Sequence, residues 1–243
     1  GRNPVNFQGK LRPKGNDAMS VHHSPITVAR PPATDHRSPI TVHHLGLVDY
    51  ETMWKKMRTF TSSRTQESAD EIWCVEHPPV YTLGIQTRPE NLPNIRSAIP
   101  VVQSDRGGQI TYHGPGQVVM YPLLDLRRHG LSVRALVRKL EDAVIALLAE
   151  YGVEAHRNDK APGVYVGNAK IGALGLRIRN GCSYHGLSLN VDMDLAPFAA
   201  IHPCGYPGLK VTQARDCGIV DSPECIATKL AASFAAQLRV HPS

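Results

Sequence analysis

From Leu45 onward the apolar positions alternate between two periods, and the chain can be divided on that basis. Tyr50, Met53, Trp54, Met57 and Phe60 recur at spacings of three and four, which predicts a helix from Asp49 to about Arg64. Ile72–Val75 and Val80–Leu83 read as short strands on either side of His77-Pro78-Pro79, and Gln117–Leu126 as a longer one. Ser132 is placed to cap a second helix whose apolar face runs Val133, Leu136, Val137, Leu140, Val144, Leu147, Leu148 and Tyr151, with Gly152 as its stop. Val164–Arg179 reads as a hairpin turning at Gly167-Asn168, and Tyr184–Val191 as a further strand. Ser222-Pro223 opens a last helix through about Arg239, with proline at the first helical position.

These elements come mixed, without sustained βαβ alternation and without a GxGxxG turn. The expected fold class is therefore α+β, a mixed or antiparallel sheet packed with helices. Residues 1–44 do not share the pattern. They hold six prolines, five histidines and a near-repeat, Ser24-Pro25-Ile26-Thr27-Val28 and Ser38-Pro39-Ile40-Thr41-Val42. So little apolar surface predicts a mostly disordered extension, with the second copy entering the first strand, followed by one domain over 45–243. Met19 is a plausible native start, which would make residues 1–18 a cloning remnant.

Charge changes this picture little. The chain is basic overall, net +6, but residues 1–44 carry +4 of it, from six Lys/Arg against Asp17 and Asp35. The remaining +2 is spread without a basic run or an interleaved aromatic platform, which argues against a nucleic-acid partner. No apolar run approaches the roughly 20 residues needed to cross a bilayer, and no apolar leader opens the chain. Five cysteines without a CxxC pair argue against a disulfide framework or a zinc knuckle and point to a reducing cytoplasm. Most of these thiols are expected to be buried and inert, Cys225 among them.

Three segments could carry chemistry. Arg106-Gly107-Gly108-Gln109-Ile110-Thr111-Tyr112-His113-Gly114-Pro115-Gly116-Gln117 is rich enough in glycine to let backbone approach a ligand, although, taken alone, a glycine-rich hairpin loop explains it slightly better. No GK[ST] follows, so it is not a phosphate loop. Lys170 follows the Gly167-Asn168 turn among small and apolar neighbours that could desolvate it; a solvated lysine is the ordinary alternative. Cys204 lies between Pro203 and Gly205, on a tight turn where a thiol can ionise near Lys or His. Cys182 is a weaker rival, and His185 or His113 would serve as base if the partner were a histidine.

Taken together, Arg106-Gly107-Gly108 through Gln117, Ala161-Pro162-Gly163-Val164-Tyr165-Val166, Lys170-Ile171 with Leu174-Gly175-Leu176-Arg177, Tyr184-His185-Gly186-Leu187-Ser188-Leu189-Asn190-Val191 and Pro203-Cys204-Gly205 resemble the lipoyl(octanoyl) transferases of lipoate biosynthesis. The likeness runs in order over roughly residues 45–240. It implies the fold of the biotin and lipoate protein ligases and transfer of octanoyl from acyl carrier protein to the ε-amine of a lysine on lipoyl domains. Those acceptors belong to the 2-oxoacid dehydrogenase complexes and the glycine cleavage H protein. Carried over position by position, the resemblance makes Cys204 the nucleophile and Lys170 its acid/base. Substrate binding falls on Arg106, Gly107, Gly108, Gln109, Ile110, Thr111, Tyr112 and His113, on Ala173, Leu174 and Gly175, and on Gly186, Leu187 and Ser188.

A donor that arrives as a thioester is already activated, so neither ATP nor any other cofactor or metal is expected. Eight carbons at about 0.8 kcal/mol per methylene suffice to hold the acyl chain. Lys160, Arg177, Arg179, Lys210 and Arg215 are candidates for docking the acidic carrier, and a monomer without membrane or nucleic-acid contacts is expected. The same fold could instead house an ATP-dependent ligase, which needs no cysteine nucleophile. A non-catalytic protein that only binds acyl carrier or lipoyl domains is the reading from another class.

Overall fold

A computed structural model of the chain describes residues 40–88, 98–158, 161–201 and 208–240. Its centre is a seven-stranded sheet in the order β1-β2-β6-β10-β9-β8-β7. Strand β1 (Thr41–Leu47) is parallel to β2 (Glu71–Glu76). All later neighbours are antiparallel: β6 (Gln117–Leu123), β10 (Cys182–Asn190), β9 (Ala169–Arg179), β8 (Val164–Val166) and β7 (His156–Arg157). A second sheet of three strands has β3 (Val80–Leu83) between β4 (Val101–Gln103) and β5 (Thr111–His113). This is the α+β arrangement with mixed sheets that the unalternated pattern predicts. The first strand starts at Thr41, within the second Ser-Pro-Ile-Thr-Val copy.

Side-chain alternation along the strands explains why the large sheet is covered on both faces. Ile72 and Cys74 of β2, Val118 and Met120 of β6, and Leu187 and Leu189 of β10 meet α2 (Val133–Glu150) and α3 (Pro223–Arg239). Val75, Val119, Tyr121 and Leu123 point the other way, onto Met53 and Met57 of α1 (Tyr50–Ser63). Every residue of β6 is buried, as a strand sandwiched between helices must be.

The helix starts follow the capping residues. Asp49, Ser132 and Ser222 each accept a hydrogen bond from a first-turn backbone N–H, at Thr52, Ala135 and Cys225. Lys139 is buried on α2 and satisfied by the last turn of α3, donating to Gln237 O at 2.7 Å and Val240 O at 2.8 Å. Its charge therefore lies at the negative end of that helix.

Strands β4, β5 and β7 have no counterpart in the sequence reading; two or three residues are too few to show a period. The glycine-rich string is no single loop either. Residues 106–110 form a connecting loop, β5 joins the small sheet, and after a turn at 114–116 the chain enters the large sheet as β6. One segment thus links the two sheets, and the candidate site lies beside it.

Candidate active site

The β6–β10 ladder is interrupted where β6 carries Pro122. Pairing holds from Asn190 to Leu187, the latter opposite Met120, and resumes where Ser183 N donates to Leu124 O. Between these points Pro122 offers no N–H. Gly186 sits so close that a Cβ there would lie 2.1 Å from Met120 O and 2.7 Å from Pro122 Cδ. His185 adopts a left-handed φ of 57°, rare for a residue with a side chain.

This kinked stretch of β10 forms one wall of a cavity of about 430 Å³. Another wall is the loop Arg106–Ile110 with Thr111 and His113. Ala173, Leu174 and Gly175 of β9 and Gly186, Leu187 and Ser188 of β10 complete the set expected from sequence. Tyr112 is the exception. It packs away from the cavity against Tyr81 and Phe198, with Ile110, Met193 and Ile201 in the same apolar cluster.

Sequence reasoning missed several lining residues. Tyr50 comes from α1, Val119 and Tyr121 from β6, and Val133 and Val137 from the start of α2. Their apolar or aromatic character marks them as core, and only the tertiary arrangement turns them toward open space. Pro122 inside an otherwise apolar strand was the available signal for a disrupted ladder.

The polar groups around the cavity form two organised systems. In the first, Asp105 accepts from Trp54 Nε1 at 2.7 Å, His185 Nε2 at 2.8 Å and Tyr184 OH at 2.5 Å. Burial alone would raise the Asp105 pKa, but the donors from His185 and Tyr184 outweigh it and hold the carboxyl well below its usual range. Burial lowers the pKa of His185 despite the carboxylate beside it. His185 is therefore neutral near pH 7, with its proton on Nε2 and directed at Asp105.

The second system is a directional chain of hydrogen bonds beneath the cavity. Arg106 Nε donates to Thr82 Oγ1 at 3.0 Å, and Thr82 Oγ1 donates to His113 Nε2 at 3.3 Å. His113 Nδ1 donates to Gln117 Oε1 at 2.7 Å, and Gln117 Nε2 to Asn190 Oδ1 at 2.9 Å. Asn190 Nδ2 ends the chain on Thr212 O at 2.9 Å. Each group's role is set by its neighbour, because Arg106 can only donate. Burial, with His77 nearby, lowers the His113 pKa to about 3, so its imidazole is neutral. His77 is likewise lowered to about 4 by burial; its Nδ1 donates to Val48 O at 2.6 Å and its Nε2 accepts from Tyr121 OH at 2.7 Å.

Lys170 is buried, with 3% of its surface exposed, against the ordinary expectation for a lysine beside a turn. Its Nζ donates to Pro162 O at 2.9 Å and lies 5.2 Å from the centre of the Tyr165 ring. It lines a small recess together with Thr111, Ala173 and Ser188, which also line the main cavity. The downstream chain is stitched to it: Lys170 N donates to Lys210 O at 2.8 Å, and Thr212 N to Lys170 O at 2.9 Å.

Cys204 lies outside the described residues, as does Lys160. Of the other cysteines, Cys74 and Cys182 are buried, and burial raises both thiols, Cys74 to about 12. Cys182 thus lacks the activated thiol a nucleophile needs. Cys225 is only partly buried, contrary to the sequence reading; its Sγ donates to Asp221 Oδ2 at 3.3 Å in the first turn of α3. Arg215 is engaged by Asp192. Among the described residues no cluster of His, Cys, Asp and Glu could hold a metal ion, and no helix is long and apolar enough to cross a membrane.

Comparison with known proteins agrees with this architecture. Residues 49–235 match the model of the lipoyl protein ligase A/B catalytic domain. An octanoyltransferase of Nitrosomonas eutropha is 58% identical over 207 residues, 85% of this chain and 92% of that protein. One of Dechloromonas aromatica is 65% identical over 182 residues, covering 74% and 88%. Among solved structures, a lipoate-protein ligase A bound with ATP superposes with a TM-score of 0.70 at 16% identity, over 85% of this chain and 88% of that one. A biotin protein ligase from Aquifex aeolicus in complex with biotin and ATP gives 0.55 at 12% identity, over 82% and 70%. The structural likenesses establish the fold, and the sequence relatives narrow it further: the chain belongs to the lipoyl protein ligase A/B catalytic-domain family, in its octanoyltransferase branch.

Proposed function

We propose that this chain takes an octanoyl group from acyl carrier protein as a thioester on Cys204 and passes it to the lysine ε-amine of lipoyl domains. Lys170 is the acid/base. The observation that carries this reading is the buried ammonium of Lys170 beside a cavity lined largely by apolar groups and glycine backbone. Two further features support it. Ile201, three positions before Cys204, packs in one cluster with Ile110, which lines the cavity, and Phe198, which lines the Lys170 recess. Lys210, six positions after it, is bonded to the backbone of Lys170. Both flanks of the cysteine segment are thus tied to the site.

In the first half-reaction the Cys204 thiolate attacks the donor carbonyl, a carbon–sulfur bond forms, and the carrier's pantetheine thiol leaves. Lys170 takes the proton from Cys204 and returns it to the departing sulfur. Thioester is exchanged for thioester, so the step is nearly balanced. In the second, the acceptor amine attacks the acyl-enzyme, Lys170 accepts the amine's proton, and the thiolate leaves as a more stable amide forms. The acceptors are lipoyl domains of 2-oxoacid dehydrogenase complexes and the glycine cleavage H protein, and the setting is the cytoplasm.

The test is intact-protein mass spectrometry after mixing the enzyme with octanoyl carrier protein without ATP, beside Cys204→Ser. Wild type is expected to gain a hydroxylamine-labile octanoyl mass that disappears when lipoyl domain is added, and Cys204→Ser is expected to gain none. Modification of lipoyl domain only when ATP and free octanoate are supplied would make the chain a ligase. Tight binding of both partners without any transfer would make it a non-catalytic adaptor.

A further inference from the structure

Glu141 is a carboxylate on the buried side of α2, 5% exposed, and no step so far uses it. A buried carboxylate is costly unless it is paired or bonded, so its contacts matter. Its Oε1 accepts from the backbone N–H of Gly163 at 3.2 Å, and its Oε2 lies 3.6 Å from Arg157 Nε. Burial raises its pKa against the opposing influence of Gly163 and Arg157, while Asp142 adds to the rise and Arg138 opposes it.

What Glu141 holds is the support of Lys170. Pro162, next to Gly163, supplies the carbonyl that receives Lys170 Nζ. Gly163 has φ of 142°, and a Cβ there would lie 3.0 Å from Lys170 Cε and 3.2 Å from Nζ, so the lysine tip rests against its bare backbone. The loop is also held by Ala161 N, which donates to Asn158 O at 3.2 Å, and by Tyr165 OH, which donates to Ala161 O at 2.7 Å from the residue whose ring faces the lysine tip. Without an acceptor on α2, the Gly163 N–H would be buried and unpaired, and the peptide presenting Pro162 O would be free to turn.

We propose that Glu141 is a positioning residue for Lys170: by fixing the Gly163 peptide it aims the Pro162 carbonyl and sets where the ammonium stands. The inference rests on the reading of Lys170 as the acid/base partner of Cys204, and it assigns to α2 a part in the chemistry.

The experiment is the pH profile of iodoacetamide alkylation at Cys204, read by peptide mass spectrometry on the full chain. The proteins are wild type, Lys170→Met, Glu141→Met, Glu141→Asp and Glu141→Gln. Lys170→Met removes the cation that favours thiolate and is expected to raise the midpoint by about one unit or more. Glu141→Met is expected to raise it by about one unit as well, a tenfold loss of thiolate below the midpoint. Mere removal of a negative charge moves a thiol pKa down, so the sign separates positioning from bulk electrostatics. Glu141→Asp keeps the charge but withdraws the acceptor, and is expected to raise the midpoint even if the methionine variant does not fold. Glu141→Gln keeps an oxygen for Gly163 and is expected to give no rise.

A midpoint that moves in Lys170→Met but stays put in Glu141→Met and Glu141→Asp overturns the inference and leaves the proposed function standing. A midpoint that stays put in Lys170→Met sinks the Cys–Lys reading itself.

Discussion

At the scale of single residues, the site depends on neutral imidazoles whose proton positions are dictated by neighbours. His185 points its Nε2–H at Asp105, which also serves Trp54 and Tyr184. Asp105→Asn can keep Oδ1 for Trp54 and His185, but it turns an amide N–H toward Tyr184, whose hydroxyl must reverse and accept, and all three bonds lose their charged acceptor. The expected result is a loss of roughly 1–3 kcal/mol of stability with the proton of His185 kept on Nε2, read by denaturant unfolding and by imidazole ¹⁵N NMR. Unchanged stability would mean that Asp105 does not organise the wall. Little of this was legible beforehand: His185 was visible only as an alternative base, and Asp105 carried no signal, because three donors from α1 and β10 converge on it only after folding. Lys170 shows the converse, since its small neighbours hinted at the burial that the structure records at 3% exposure.

Among elements, α2 carries more than its length suggests. Its first turns give Val133 and Val137 to the cavity, its middle gives Leu140 and Val144 to the core, and Lys139 closes the end of α3. The start is fixed by Ser132 Oγ, which accepts from Ala135 N at 3.1 Å. Ser132→Ala is expected to cost about 1 kcal/mol and Ser132→Asp to restore most of it, measured by urea unfolding. Equal stability in all three proteins would show that packing alone sets the helix start. The three helices and the long strands were readable from sequence because period and cap agree over many residues. The sheet order was not, since β6 finds its partners in β2 and β10, which lie well away from it along the chain.

Across the whole molecule, the buried histidines make stability depend on pH. His77 and His113 titrate near 6.5 when exposed, but burial lowers them to about 4 and about 3 in the folded state. Below pH 6.5 the unfolded chain binds protons that the folded one refuses, so stability is full above that pH and falls as pH drops toward 4. A loss of more than about 2 kcal/mol between pH 7 and pH 4.5 is expected from urea unfolding. His113→Gln should flatten the slope. A slope the same in both proteins would assign the effect to other groups. The α+β class was read correctly from the mixture of periods, and the resemblance named all the expected lining residues but Tyr112 correctly, whereas the walls from α1, β6 and α2 were not read, because no single stretch of sequence announces them.

The same cavity has a one-sided mutational future. At Gly175 a Cβ would lie 2.8 Å from Gly107 O and 3.3 Å from Arg106 Cδ, so there the wall is main chain against main chain. A substitution can fill this part of the site, but none can hollow it out, since no side chain is left to trim. Lineages drifting toward bulkier cargo would have to shorten a lining side chain such as Val133, Val137 or Leu174 instead, and the change in substrate range would be recorded there rather than at the glycines.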